Sequence, residues 1–363
     1  TPYVTADKFD LAPFGKLAKD PDMCRNGKQW CLPILTTLAT PIFYNIDLFN
    51  AAGVPLPPTD PTDKSWNLDK ISDLAAKLTK NPGTADAVYG FATPNQFHQW
   101  AYLWGVDPWL KEWYEHGIAQ KSNYLDPKVA QAQQYRADLI NKRKVSPRPS
   151  DEQGLAQLGD IFKTGRVAMY WAGGNGYWLY SDITAFKWGV APGPWQTTNK
   201  TVNFTDPVLI SGDSKVADHA WSFIKYLTGK DGQTDYVKAI GTPPVRSDVF
   251  DTWLDYEITK TGMKSKDDLK RAALYYENDY IDNWAHYTVN AGQLQTIQTQ
   301  DGQPIWDGAV AAKDQMAKIQ KDMDDALAKT YDEYKSTRLT TDTLCQPIVA
   351  SAAGSATCQF ETV

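Results

Sequence analysis

Short apolar runs of strand length alternate with segments of helical period along most of this chain, and that alternation points to an α/β fold. Strand-like runs fall at residues 89–92, 167–171, 187–191 and 207–210, and PILTTLATPIFYN reads as an extended segment leading into another. Between them, residues 66–80 repeat apolar side chains at Leu68, Ile71, Leu74, Ala75 and Leu78, a helical spacing. Residues 127–143 predict a second helix. Residues 216–228 predict a third, with Ala220, Phe223, Ile224 and Leu227 inward and Gly229 as its stop. Residues 309–335 predict a long amphipathic helix or helix pair with Met316, Ile319, Met323, Leu327 and Tyr331 on one stripe. A length of 363 residues is long for one core and suits two lobes.

Charge and composition remove several classes of function. Lys and Arg number 37 against 43 Asp and Glu, a formal charge of −6, so the basic footprint of a nucleic-acid binder is missing. No apolar run reaches the length of a bilayer span. No secretory leader is read, as expected of a mature or trimmed chain. Four cysteines form two close pairs, Cys24 with Cys31 and Cys345 with Cys358. Neither pair has C-x-x-C spacing or a nearby histidine, which argues against zinc and for two short disulfide loops in an oxidising compartment. Asn199-Lys200-Thr201 and Asn203-Phe204-Thr205 are N-x-T triplets, a pattern frequent by chance.

Large aromatic rings are the unusual component: 14 Trp, 19 Tyr and 12 Phe. Each buried indole needs a partner for its N–H, so a core alone is a costly home for so many. A sugar ring offers apolar C–H faces that stack on indole and hydroxyls that need polar partners. The stretch FKTGRVAMYWAGGNGYW, residues 162–178, sets a strand against a glycine turn with rings on both sides. Motifs of catalysis are missing: no H-E-x-x-H, G-x-S-x-G, phosphate-binding loop or EF-hand loop, and the four histidines are isolated in sequence. A glycosidase carboxylate pair stays open, because its two acids can lie far apart in a chain.

Six segments, in order, resemble family 1 extracellular solute-binding proteins of ABC importers, the maltose-binding-protein-like sugar receptors. They are GKQWCLPILTTLATPIFYNIDLFNAAGVPLP, SWNLDKISDLAAKLTK, YGFATPNQFHQWAYLWG, FKTGRVAMYWAGGNGYW, SKVADHAWSFIKYLTGKDGQ with IGTPPVRSDVF, and DALAKTYDEY. Each is degenerate alone; together they cover residues 20 to 335. The resemblance implies two α/β lobes, a cleft between them and hinge closure on a ligand that is passed to a membrane permease. The family's opening strand, helix and strand have no counterpart. Residues 1–32 and 206–289 would then form an incomplete N-terminal lobe, and 33–205 with 290–340 the C-terminal lobe. A 341–363 tail would be tied by its cysteine pair, and the chain would cross between lobes near Pro33 and near residues 206 and 290.

The same resemblance nominates a site. It places Trp178 or Tyr177 as a stacking platform, with Gly173, Gly174 and Asn175 offering backbone or amide contacts and glycine permitting close approach and positive φ. It sets Asn95 where the maltose receptor has a ligand-binding glutamate and Phe97 where it has a tyrosine. It makes Trp306, by its spacing from Leu327, a second stacking ring. Thr36 and Thr37 fall on the crossing segment, where hydroxyls suit sugar hydroxyls. Trp171 reads as core. The expectation is a monomeric, non-enzymatic, extracytoplasmic carbohydrate receptor without cofactor, metal or nucleic acid, serving an ABC permease and anchored, if at all, by a segment outside this sequence. A receptor for another small solute, a polyamine or a polyol such as a phosphorylated one, is the first alternative. A polyamine would need carboxylates among the cleft residues, and a phosphate an arginine or a helix N-terminus. A glycan-degrading enzyme is the second.

Overall fold

The computed structural model describes residues 2–20, 23–25, 28–37, 40–93, 97–110, 120–157, 159–274, 280–283, 285 and 290–341, with the backbone alone at 25, 282 and 334–341. Its strands are β1 (Cys24–Arg25), β2 (Lys28–Gln29), β3 (Leu32–Thr36), β4 (Ile42–Asn45), β5 (Met169–Trp171), β6 (Trp188–Ala191), β7 (Val202–Asn203), β8 (Thr205–Val208) and β9 (Ile281–Asp282). Helices α1 (Pro2–Ala6), α2 (Ile46–Ala52), α3 (Leu68–Leu78), α4 (Phe97–Leu103), α5 (Pro127–Asn141), α6 (Pro149–Ala156) and α7 (Gly176–Tyr180) come first. They are followed by α8 (Ala217–Thr228), α9 (Lys230–Ile240), α10 (Phe250–Glu257), α11 (Lys266–Leu274), α12 (Ala291–Trp306) and α13 (Ala312–Thr341). Among the described residues no helix is long and apolar enough to cross a membrane.

The main sheet has the order β5-β4-β6, with β4 antiparallel to both neighbours. All four residues of β4 are buried, because both faces of this sheet are covered. The strand period of two sends Ile42 and Tyr44 into one core and Phe43 into another. The first core is built with α3, α4, α5, α12 and α13. The second holds Phe162, Tyr177, Tyr180, Trp188 and Val190 with Trp253 and Leu254 of α10 and Leu269 of α11. At the end of β4, Asn45 caps α2 by accepting from the N–H groups of Asp47 at 3.0 Å and Leu48 at 3.1 Å. Gly53, in the left-handed conformation, ends that helix.

A second set of elements surrounds the antiparallel pair β3–β8, whose register sets Pro33 opposite Pro207 and Thr36 opposite Thr205. Neither proline can donate to a ladder, and the register shifts between Pro33 and Leu35. Two small clusters lie here: Phe14, Leu17, Ala18, Val245 and Tyr280, and Leu32, Trp221 and Ile224. Of the 206–289 stretch, α8 packs against β3 and α9 packs on α8, whereas α11 packs against β6 of the main sheet.

Several sequence expectations change. In α8 the inner stripe is Trp221, Ile224 and Thr228; Phe223 is 60% exposed and Ala220 and Leu227 are half-buried. Phe223 sits two residues after Trp221, about 200° around the helix, so both cannot face Leu32. The strand expected at 207–210 is β8, two residues earlier, and Leu209 is exposed. Residues 89–92 run beside β5 as two isolated parallel bridges, Tyr89 with Val167 and Ala92 with Tyr170. The disulfide expected between Cys24 and Cys31 is not shown. The β1–β2 hairpin sets Cys24 opposite Gln29, not opposite Cys31. The Cys31 thiol lies 3.6 Å from Met23 Sδ. Cys345 and Cys358 lie outside the described residues.

Candidate functional site

The β3–β8 pair unites two of the predicted crossing points, Pro33 and residue 206, and a band of neutral polar side chains forms where it ends. The Thr36 hydroxyl donates to Asn203 Oδ1 at 2.9 Å, and Asn203 Nδ2 donates to Thr205 Oγ1 at 2.7 Å. Thr37 and Phe204 exchange two bonds: the Thr37 N–H donates to the Phe204 carbonyl at 2.9 Å, and the Phe204 N–H donates to Thr37 Oγ1 at 3.1 Å. Farther along, the Thr40 N–H donates to Thr201 Oγ1 at 2.9 Å, the two hydroxyls touch, and Gln99 Nε2 donates to the Thr40 hydroxyl. Thr36, Thr40, Thr201, Asn203 and Thr205 are buried, and their bonds answer the requirement that buried polar groups be paired. The parallel contact of β7 with β9 brings Asn203 beside Asp282 in the ladder.

The glycine turn closes on this band. After β5 the Ala172 N–H donates to the Pro41 carbonyl at 3.2 Å, and the chain passes so near residue 37 that a Cβ on Gly174 would overlap the Thr37 carbonyl oxygen. A Cβ on Gly176 would lie 2.5 Å from the Phe43 ring. These glycines are required for space. The positive φ expected of the turn is not found: Gly173, Gly174 and Gly176 are all outside the positive-φ set. Asn175 is exposed, Gly173 half-buried, and α7 follows at once.

Of the two candidate rings, Tyr177 is 1% exposed, edge-on to Phe43 with centroids 5.3 Å apart and to Trp253 at 4.9 Å. Trp178 is half-buried and keeps an accessible part. Trp171 is core, as expected: its indole N–H donates to the Thr40 carbonyl at 2.9 Å and it stands edge-on to Trp100. Thus Thr36, Thr37, Gly173, Gly174 and Asn175 share one locality, with Trp178 on the next helix and Tyr177 turned inward behind it.

Phe97 and Trp306 sit elsewhere. Both are 1% exposed and their centroids are 6.1 Å apart, inside the packing of α4, α5 and α12. The Trp306 indole N–H donates to Gln133 Oε1 at 3.1 Å, the Arg136 guanidinium lies 4.1 Å above its ring, and Gln133 Nε2 donates to the Phe97 carbonyl at 2.8 Å. Burial draws the Arg136 guanidinium down to about 10 and, opposed by Arg136, pushes the Glu152 carboxyl up to about 7. Burial also holds His98, next to Phe97, down to about 4, so it is neutral near pH 7. Asn95 lies outside the described residues. The reading of the sequence missed Asn203, which joins Thr36 to Thr205; its one visible signal was an N-x-T triplet beside a predicted crossing.

Comparisons with known proteins show the family and the fold. The profile described as bacterial extracellular solute-binding protein matches residues 1–234. Binding proteins of Brucella abortus and Brucella suis are 24% identical over 286 residues, covering 77% of this chain and 65% of theirs, so the chain spans just under two thirds of their length. An ABC substrate-binding protein of Listeria monocytogenes, solved with cycloalternan, is similar at a TM-score of 0.71 and 21% identity, over 91% of this chain and 79% of that one. The cyclic α-maltosyl-1,6-maltose binding protein of Arthrobacter globiformis is similar at 0.66 and 17%, over 89% and 79%. UgpB of Mycobacterium tuberculosis, in complex with glycerophosphocholine, is similar at 0.67 and 17%, over 92% and 78%. At these identities the likeness is one of fold, the two-lobed α/β fold of periplasmic binding proteins.

Proposed function

We propose, since this chain belongs to the bacterial extracellular solute-binding protein family, that it captures a carbohydrate in a cleft between two lobes and delivers it to an ABC import permease. The observation that carries this reading is the close approach of the Gly173-Gly174-Asn175 turn, at Gly174, to Thr37 and so to the hydroxyl and amide band of Thr36, Thr37 and Asn203, with the half-buried Trp178 on the helix that follows the turn. That locality offers an indole face, a backbone kept close by glycine, and neutral donors and acceptors. None of these side chains carries a formal charge, which suits a polyhydroxylated neutral ligand better than a polyamine or a phosphate. The cycloalternan and cyclic maltosyl-maltose of two similar structures support the same class.

In this reading the protein works outside the cytoplasm as a monomer and performs no chemistry on its ligand. The β3–β8 pair is a crossing between lobes, in the division given above (1–32 with 206–289, and 33–205 with 290–340). Trp178 is the stacking ring, Tyr177 its support, and Thr37 and Asn175 offer polar groups beside the turn. The test is intrinsic tryptophan fluorescence titrated with a panel of mono- and oligosaccharides, followed by chromatographic analysis of the recovered ligand. A saturable change with intact sugar is the expected result. Cleaved sugar would move the protein to the glycan-degrading enzymes, and silence across the panel would move it to another solute.

A further inference from the structure

Behind the glycine turn, three side chains bring polar atoms into the interior with no hydrogen-bond partner among the described residues: Tyr177 Oη, Thr242 Oγ1 and both carboxyl oxygens of Glu257. Tyr177 is 1% exposed, and Thr242 and Glu257 are 0% exposed. They lie together. Tyr177 of α7 stands edge-on to Trp253, one helical turn before Glu257 on α10. The Trp253 indole N–H donates to the carbonyl of Gly241 at 3.1 Å, and a Cβ on Gly241 would lie 3.1 Å from Glu257 Oε1. Thr242 follows Gly241 in the chain. Leaving such atoms unpaired in a protein interior is expensive, most of all for a carboxylate.

We propose that Tyr177, Thr242 and Glu257 form an internal site for ordered water, which ties the helix carrying Trp178 to the end of α9 and to α10. Four oxygens of three residues supply the two to four partners that a buried water needs. A neutral carboxylic acid can donate as well as accept there, so the site is complete only while Glu257 keeps its proton. Burial does hold the Glu257 carboxyl well above the ordinary carboxylate range, and only Lys260, one turn on, opposes it. Among the described residues Tyr177 also faces it, its phenol raised by burial and by the Glu257 charge. The end of α9 contributes Gly241 and Thr242, which do not titrate, and the Tyr256 ring lies against Gly241 beside them. The site goes beyond the receptor reading and does not depend on which solute is bound.

An acid whose folded-state pKa lies above its unfolded value gives stability that is present below the unfolded pKa and is lost as pH rises toward the folded one. Urea unfolding of the whole chain from about pH 5 to about pH 9, beside Glu257→Gln, therefore tests the site: the ratio of the two unfolding constants should shift by up to about tenfold per pH unit. Parallel pH profiles would overturn the proposal. Should Glu257→Gln fail to fold, the infrared carboxyl stretch of isotope-labelled wild-type protein near neutral pH decides, because a protonated buried acid has its own band and its absence overturns the proposal. Where Glu257→Gln folds, the cycle with Tyr177→Phe should show coupling of about fivefold or more in the unfolding constant. Additive effects would refute a shared site.

Discussion

At the scale of single residues, Gly174 is the position with the least room. Any side chain there must displace the carbonyl of Thr37, so Gly174→Ala should cost about 1–3 kcal/mol in urea unfolding and weaken ligand binding with it. Trp306 behaves as a core residue: Trp306→Ala should cost about 3–5 kcal/mol of stability, and Trp306→Phe about 1–3 kcal/mol for the bond to Gln133 alone. The glycine turn was legible in the sequence because a Gly-Gly-Asn-Gly run after a strand has few uses other than a tight approach. The role of Trp306 was not legible, because one ring at a suggestive spacing looks the same whether it lines a cleft or fills a core. What decides is the company of Gln133, Arg136 and Phe97, all distant in the chain. Nor could the sequence tell Tyr177 from Trp178; their one-residue offset on a short helix turns one ring inward and leaves the other at the surface.

At the scale of elements, the legible ones are those whose own pattern matches their burial. Ile42–Asn45 is apolar on both faces because both faces are covered, and α3 shows its buried stripe directly in Leu68, Ile71, Leu74, Ala75 and Leu78. Helix α12 was invisible: its buried positions are Leu294, Gln298, Gly302, Ile305 and Trp306, with Pro304 inside, so polar and small residues interrupt the apolar period. Helix α8 was found, but its inner face was assigned to Phe223 because apolar residues occur on more than one side of it. Two substitutions follow from these elements. Asn45→Ala removes the acceptor for two N–H groups of α2 and should lower stability by about 1 kcal/mol. Phe223→Ser should change stability by no more than about 0.5 kcal/mol, as at other exposed sites; a loss of several kcal/mol in a thermal or urea melt would return Phe223 to the core.

At the scale of the whole molecule, the arrangement of charge gives a direct prediction. The candidate site holds neutral hydroxyl, amide and indole groups, so ligand affinity should stay within about twofold between about 0.01 and 1 M salt, where the screening length falls from about 30 to about 3 Å. A steep loss of affinity in calorimetric titrations at increasing salt would reveal an ion pair with the ligand. The α/β class was readable from the chain alone, since the alternation of runs survives errors at individual boundaries. The pairing of β3 with β8 was not readable: resemblance placed crossings near Pro33 and residue 206 but paired no strands, and nothing local in Leu32–Thr36 names its partner. That pairing has a consequence in time. Thr36 meets Thr205 across most of the intervening chain, and β4 waits likewise for β5 and β6. At a synthesis rate of about 5–20 residues per second, the first strand emerges roughly ten to thirty seconds before its partner. During that interval the apolar segment PILTTLATPIFYN has no sheet to join. Such long-range pairing is slow to form, and it leaves this segment as the part of the nascent chain most in need of protection from aggregation.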